Sequence, residues 1–165
     1  MEAIRKIEVN KVFKIILITI LGSLLLTISA KVKIPFYPVP MTMQTFVVLF
    51  LGIAFGYKIG LLTVSLYLFE GIFGLPVFSG TPEKGVGLVY FTGTTMGYLI
   101  GFLVAVYVAG SFHYKDIFKS NFLEFFKNYF KLIIAVSCIY ILGLLWLGNL
   151  IGWDKPIFKL GAEPF

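Results

Sequence analysis

A chain of 165 residues and 18.5 kDa that is 59% hydrophobic and 13% charged, with a mean hydropathy of +0.95, is too apolar for an ordinary water-soluble domain and belongs in a membrane. A spanning helix takes roughly 20 mainly apolar residues, so the chain has room for about five or six spans and none for a separate catalytic or nucleic-acid-binding module. Its net charge of +6 reads as a topology signal, and a single cysteine, Cys138, with a single histidine, His113, excludes an intrachain disulfide and leaves almost no soft metal ligands.

The basic segment 1–14, with Arg5, Lys6, Lys11 and Lys14, runs into an apolar stretch at 13–30 that forms the first expected span. It does not read as a cleaved signal peptide: Ile28 stands where a cut after Ala30 wants a small residue, and more membrane sequence follows. Thr19, Ser23 and Thr27 recur along one helix face as a strip of small side chains, which serves either packing within the bundle or, because a first helix often sits at the bundle's edge, docking of an outside helix. Segment 31–41 carries Pro35, Pro38 and Pro40 and reads as an extended, stiff loop.

The second and third spans are expected at 42–55 and 59–72, separated only by Gly56, Tyr57 and Lys58, which makes a tight helical hairpin. Glu70 lies near the outer end of the third span, where a carboxylate is costly unless solvated or paired; it is either a functional group or one that snorkels or fixes a loop. The loop at 74–91, with Pro76, Pro82, Gly74, Gly80, Gly85 and Gly87, is longer than a connector needs and is a candidate for function. In the fourth span, 92–110, Gly93, Gly97, Gly101, Ala105 and Ala109 recur every four residues and suit close helix packing inside the bundle. Residues 114–129 place Phe118, Phe122, Phe125, Phe126 and Tyr129 on one face with Lys115, Lys119 and Lys127 between them, an amphipathic helix expected to lie in the cytoplasmic interface. A fifth span at 129–150 and a tail complete the chain.

With the amino terminus cytoplasmic, the inner side holds Arg5, Lys6, Lys11, Lys14, Lys58, Lys115, Lys119, Lys127 and Lys131, and the outer side only Lys31, Lys33, Lys84, Lys155 and Lys159. The positive-inside rule favours this orientation and puts both proline-bearing loops outside. No GxxxxGK[ST], HExxH or GxSxG pattern occurs, which argues against phosphate-loop ATP hydrolysis and intramembrane hydrolysis. Apart from Glu70 the spans offer few ionisable groups for proton-driven transport. What remains is a receptor-like binding protein that draws on an outside energy source if it transports. A structural or assembly membrane protein and an intramembrane enzyme centred on Glu70 are the competing readings.

Three stretches, IPFYPVPMTMQTF at 34–46, YLFEGIFGLPVFSGTPEKGVG at 67–87 and GTTMGYLIGF at 93–102, closely resemble the signatures of the BioY family, the biotin-specific substrate-binding components of energy-coupling-factor (ECF) transporters. The resemblance covers about 30–165. It implies an all-α, multi-pass helical bundle of six spans in a bacterial inner membrane, which captures biotin from outside and works with a coupling transmembrane protein and two ABC-type ATPases. It also implies no catalytic residue, cofactor or metal, no nucleic-acid partner, and a coupling contact through small residues on the first helix, here Thr19, Ser23 and Thr27. The chain departs from the family where GPTGGY is replaced by Gly93, Thr94, Thr95, Met96, Gly97 and Tyr98. A GDxxK motif on a sixth helix follows the family's Pro-Phe pair; here the sequence stops at Pro164 and Phe165, so one domain with five of six spans is expected.

Biotin combines an apolar bicycle, a ureido group and a chain ending in a carboxylate, and suits a mostly apolar pocket with a few convergent polar groups. Candidates from the resembling motifs are the Gln44 amide, the Thr81 and Thr95 hydroxyls, the backbone N–H groups at Gly85 and Gly87, and the rings of Phe36, Phe78 and Tyr98, with Glu70 beside them.

Overall fold

The computed structural model describes residues 2–34, 39, 41–83, 85–112 and 122–162. In chain order its elements are α1 (Glu2–Lys31), β1 (Lys33–Ile34), β2 (Met41–Thr42), α2 (Gln44–Ile72), a 3-10 helix (Gly87–Thr92), α3 (Met96–Ser111), α4 (Phe122–Ile151) and α5 (Ile157–Gly161). Apart from the two-residue antiparallel ladder pairing Lys33 with Thr42 and Ile34 with Met41, the described fold is all-α. Asn10–Lys31, Gln44–Ile72 and Phe125–Ile151 are long and apolar enough to cross a membrane, and Met96–Ser111 is a shorter apolar helix. The expectations on Phe36, the prolines at 35, 38 and 40, His113, Phe118 and Lys84, Lys115 and Lys119 lie outside the described residues.

The run α2 is two helical arms that meet at Gly56 and fold back as a hairpin. Gly56 takes φ +77° and ψ 167°, a conformation that L side chains rarely adopt and glycine adopts freely. In a straight helix Gln44 and Tyr67 would be about 35 Å apart at 1.5 Å per residue; instead the Gln44 Nε2 donates to the Tyr67 hydroxyl at 2.7 Å. The two arms close on glycines, since a Cβ on Gly60 would lie 3.5 Å from the Gly52 Cα. The expected turn at Gly56 is therefore present, and it makes two short arms, 44–55 and 57–72, from one apolar run.

α3 is the central helix, packed on α2 and α4. The expected small-residue strip does this packing. A Cβ on Gly101 would stand 2.7 Å from the Ile139 Cα, and one on Gly97 would stand 2.5 Å from the Leu142 carbonyl oxygen, so both glycines let α4 approach to backbone contact. A four-residue repeat drifts about 40° per step around a 3.6-residue helix. Further along, Ala105 and Ala109 are fully buried, and Ala109 sits against Gly52 of α2.

Two expectations need correction. The strip on α1 does not face outward at its centre: Ser23 is 2% exposed and turned onto the second arm of α2, with Gly22 packed on Thr63 and Leu26 and Ala30 fully buried. The outer face of α1 is Leu17, Leu21, Leu24, Leu25 and Ile28. Large aliphatic side chains lose nothing against acyl chains, whereas small ones gain close van der Waals contact against a helix. The amphipathic stretch is likewise not a separate helix as far as it is described, because Phe122 to Ile151 is one α-helix. At about 45 Å it exceeds a hydrocarbon layer of roughly 30 Å. The loop at 74–91 is irregular only to Val86, beyond which Gly87–Thr92 forms the 3-10 helix.

Candidate binding site

The site lies at the end of the bundle where α1 and the second arm of α2 finish and α3 begins. Lys31, the last residue of α1, donates from Nζ to the carbonyl oxygens of Pro76 at 2.7 Å and Phe78 at 3.0 Å and to Thr81 Oγ1 at 3.0 Å. Thr81 Oγ1 also donates to the Phe78 carbonyl at 2.7 Å. A single ammonium thus gathers oxygens that would otherwise face outward from the 76–81 loop, a charge-assisted arrangement stronger than neutral pairs.

Held at its backbone, Phe78 drives its ring inward, where it stacks on Tyr90 at 4.7 Å and meets Tyr67 edge-on at 5.2 Å. Gly71 of α2 leaves the space for that ring, for any side chain there would collide with it. The Tyr90 hydroxyl donates to the Ser79 carbonyl at 2.7 Å. Phe78 and Tyr90 therefore fix Ser79 on both sides. Burial pushes the Tyr90 phenol above its ordinary pKa, against a smaller opposing effect of its hydrogen bond with Thr95, so it is a neutral donor at physiological pH.

A second relay starts at Gln44, whose side chain is 4% exposed. Gln44 Nε2 donates to the Tyr67 hydroxyl, which donates in turn to the Val77 carbonyl at 3.2 Å, while Thr42 Oγ1 donates to Gln44 Oε1 at 3.3 Å. Between the two relays lies a cavity of about 40 Å³. Val39, Thr42, Gln44 and Thr45 line it from the start of the hairpin, and Ser79 and Tyr90 from the long loop. Thr95, Tyr98, Leu99 and Phe102 close it around the start of α3, and Ile139 and Tyr140 from α4. Among the described residues no lining side chain is charged. Such a cavity favours an uncharged ligand group that is apolar over most of its surface and has a few hydrogen-bonding atoms.

The BioY family model matches residues 4–165. The chain belongs to the BioY family. It is 32% identical over 141 residues to the probable biotin transporter BioY of Pyrococcus horikoshii, covering 86% of this chain and 78% of that relative. Against the biotin transporter BioY of Thermotoga maritima it is 33% identical over 141 residues, again covering 86% and 78%. The fold is similar to the 2.1 Å crystal structure of the S-component for biotin from an ECF-type ABC transporter, with a TM-score of 0.74, 24% identity, and coverage of 93% of this chain and 80% of that one.

Within this BioY chain, Gln44, Thr95 and Tyr98 of the expected residues line the cavity. Tyr98 presents its ring, because its hydroxyl already donates to the Gly161 carbonyl at 2.8 Å. Phe78 and Thr81 stand one layer behind, the first packing Tyr90 and Tyr67 and the second completing the Lys31 cluster. Gly85 and Gly87 have φ +93° and +67° and shape the loop away from the cavity wall. Glu70 is turned toward α1, where Ser23 Oγ lies 2.7 and 2.8 Å from its two carboxylate oxygens. Thr19 and Thr27 are half-buried and bond back to the Ile15 and Ser23 carbonyls. Phe36 lies outside the described residues.

Ser79, Tyr90, Tyr67 and Lys31 had no place among the sequence candidates. Ser79 sits in an irregular loop with no periodicity to give its direction. Tyr67 is one of many aromatics in an apolar span. For Lys31 the usable signal was its place in the last turn of α1, where a cation reaches neighbouring carbonyls.

Proposed function

We propose that this chain is the biotin-binding membrane subunit of an ECF-type vitamin transporter, a capture protein and not an enzyme. The observation that carries the reading is the uncharged, largely apolar cavity with Gln44, Ser79 and Thr95 in its walls, in a chain of the BioY family. The relatives named as biotin transporters and the fold of the biotin S-component support the choice of ligand. Tyr98, Phe102 and Tyr90 would wall the bicycle, with Gln44 and Thr95 reaching its polar atoms. A cavity of about 40 Å³ has room for only about three waters, so capture requires its walls to part and close again.

In this reading five segments cross the membrane: α1, the two arms of α2, α3 and α4. The amino terminus is cytoplasmic in a bacterial inner membrane, as the Lys and Arg distribution favours. Inward delivery needs a coupling transmembrane protein and two ABC-type ATPases. The coupling protein would dock along the outer side of α1, with Thr19 and Thr27 bordering the contact and Ser23 behind it. Saturable binding of radiolabelled biotin to the detergent-purified chain, competed by unlabelled biotin, is the expected result. No saturable binding under conditions where the protein remains folded would overturn the proposal.

A further inference from the structure

Among the described residues, Ser79 Oγ is a buried side-chain oxygen with no hydrogen-bond partner. The residue is 4% exposed and lines the cavity. The backbone that carries it is held in place. Its own carbonyl accepts from Tyr90, its neighbour Phe78 is locked between Tyr90, Tyr67 and Gly71, and the Phe78 carbonyl is held by Lys31 and Thr81. Other polar groups of the walls have a protein partner: the Gln44 amide has Thr42 and Tyr67 and keeps a further N–H, the Tyr98 hydroxyl has Gly161, and the Tyr90 hydroxyl has the Ser79 carbonyl. A buried hydroxyl that is left unpaired is costly, and a fold that holds one rigidly at a cavity wall keeps it for something that enters the cavity.

We propose that Ser79 Oγ is a ligand-recognition group that pairs with the ureido group of the bound molecule, an inference that rests on the biotin reading above. A serine hydroxyl both donates and accepts, and so matches either the ureido carbonyl or a ureido N–H. The carboxylate is the wrong partner, because a cavity whose described walls carry no charge would leave that anion desolvated and uncompensated. The carboxylate therefore stays toward the mouth of the cavity, and the uncharged ureido end goes in to Ser79.

The test measures binding of biotin, desthiobiotin and biotinamide to the full chain and to its Ser79→Ala variant, together with ligand-free thermal unfolding of both. Desthiobiotin retains the ureido group without the thioether, and biotinamide retains it without the carboxylate. Ser79→Ala is expected to weaken all three by the same factor of about five to ten. Ligand-free, the variant is expected to be at least as thermostable as the parent, because it removes an unpaired buried oxygen; a serine that only supported the fold would lower both stability and binding. Unchanged affinities in a parent that binds biotin would overturn the Ser79 assignment alone. A loss seen with biotin but absent with biotinamide would assign Ser79 to the carboxylate and overturn the ureido contact. No biotin binding by a folded parent chain would overturn the biotin reading and the assignment with it.

Discussion

Replacing Tyr67 with phenylalanine removes one oxygen atom from a fully buried ring and breaks the relay that orients Gln44. That oxygen accepts from Gln44 Nε2 at 2.7 Å and donates to the Val77 carbonyl at 3.2 Å, so its loss leaves one buried donor and one buried acceptor unpaired. A neutral hydrogen bond contributes about 1 kcal/mol net and an orphaned buried group costs about 1–3 kcal/mol, which puts the variant about 2–3 kcal/mol below the parent. For a chain of this size that corresponds to roughly 5–10 °C in melting temperature. Scanning fluorimetry in one detergent reads the shift, and a cycle with Gln44→Leu isolates the contact. Gln44→Leu removes the donor, so the double variant should cost about 1 kcal/mol less than the sum of the single changes. Tyr67→Phe should also weaken biotin less than Gln44→Leu, because only Gln44 lines the cavity. Additivity within about 0.5 kcal/mol would show that the two side chains do not support one another and would refute the relay.

At the α3–α4 contact, Gly101→Leu must push apart two helices whose backbones touch at Ile139; a loss of at least about 1–3 kcal/mol is expected in thermal unfolding, with Leu at the exposed Ile100 position as the harmless control. Ser23→Trp is expected to impair biotin binding as well as uptake, since Ser23 is buried on Glu70; intact binding with lost uptake would place it on an outer docking face after all. Lys31→Met releases the 76–81 loop from its ammonium and should raise the biotin dissociation rate and the cleavage of that loop by added protease, while Lys33→Met should do neither. Because burial raises the Tyr90 phenol above its ordinary value of about 10, the folded chain holds that proton to higher pH than the unfolded chain. The stability tied to it is complete below about pH 10 and declines as pH rises from there toward the folded value, so Tyr90→Phe should flatten the melting-temperature profile above pH 10 only.

Gln44, Thr95 and Tyr98 became candidates through motifs that resemble the BioY family, whereas membrane residence, the hairpin at Gly56 and internal packing by the small-residue strip of α3 were legible in the amino-acid sequence itself. Each rests on local chemistry: apolar runs have no other solvent that suits them, a lone glycine between two such runs admits positive φ, and glycines every four residues admit a second backbone. Helix rotation was not legible. In water the apolar side of a helix marks the core, but in lipid the outward face is as apolar as the inward one, so Thr19, Ser23 and Thr27 identify a close-packed face without naming the helix that packs there. Only the tertiary structure put Ser23 on Glu70. The same holds for the irregular loop, where no period gives a side chain its direction. Ser79 lies at the cavity wall because Phe78 fills the space left by Gly71 and because Lys31, 45 to 50 residues away in the chain, binds the neighbouring carbonyls. Contacts between segments so far apart depend on the packing of the whole bundle, and no local pattern in the sequence encodes them.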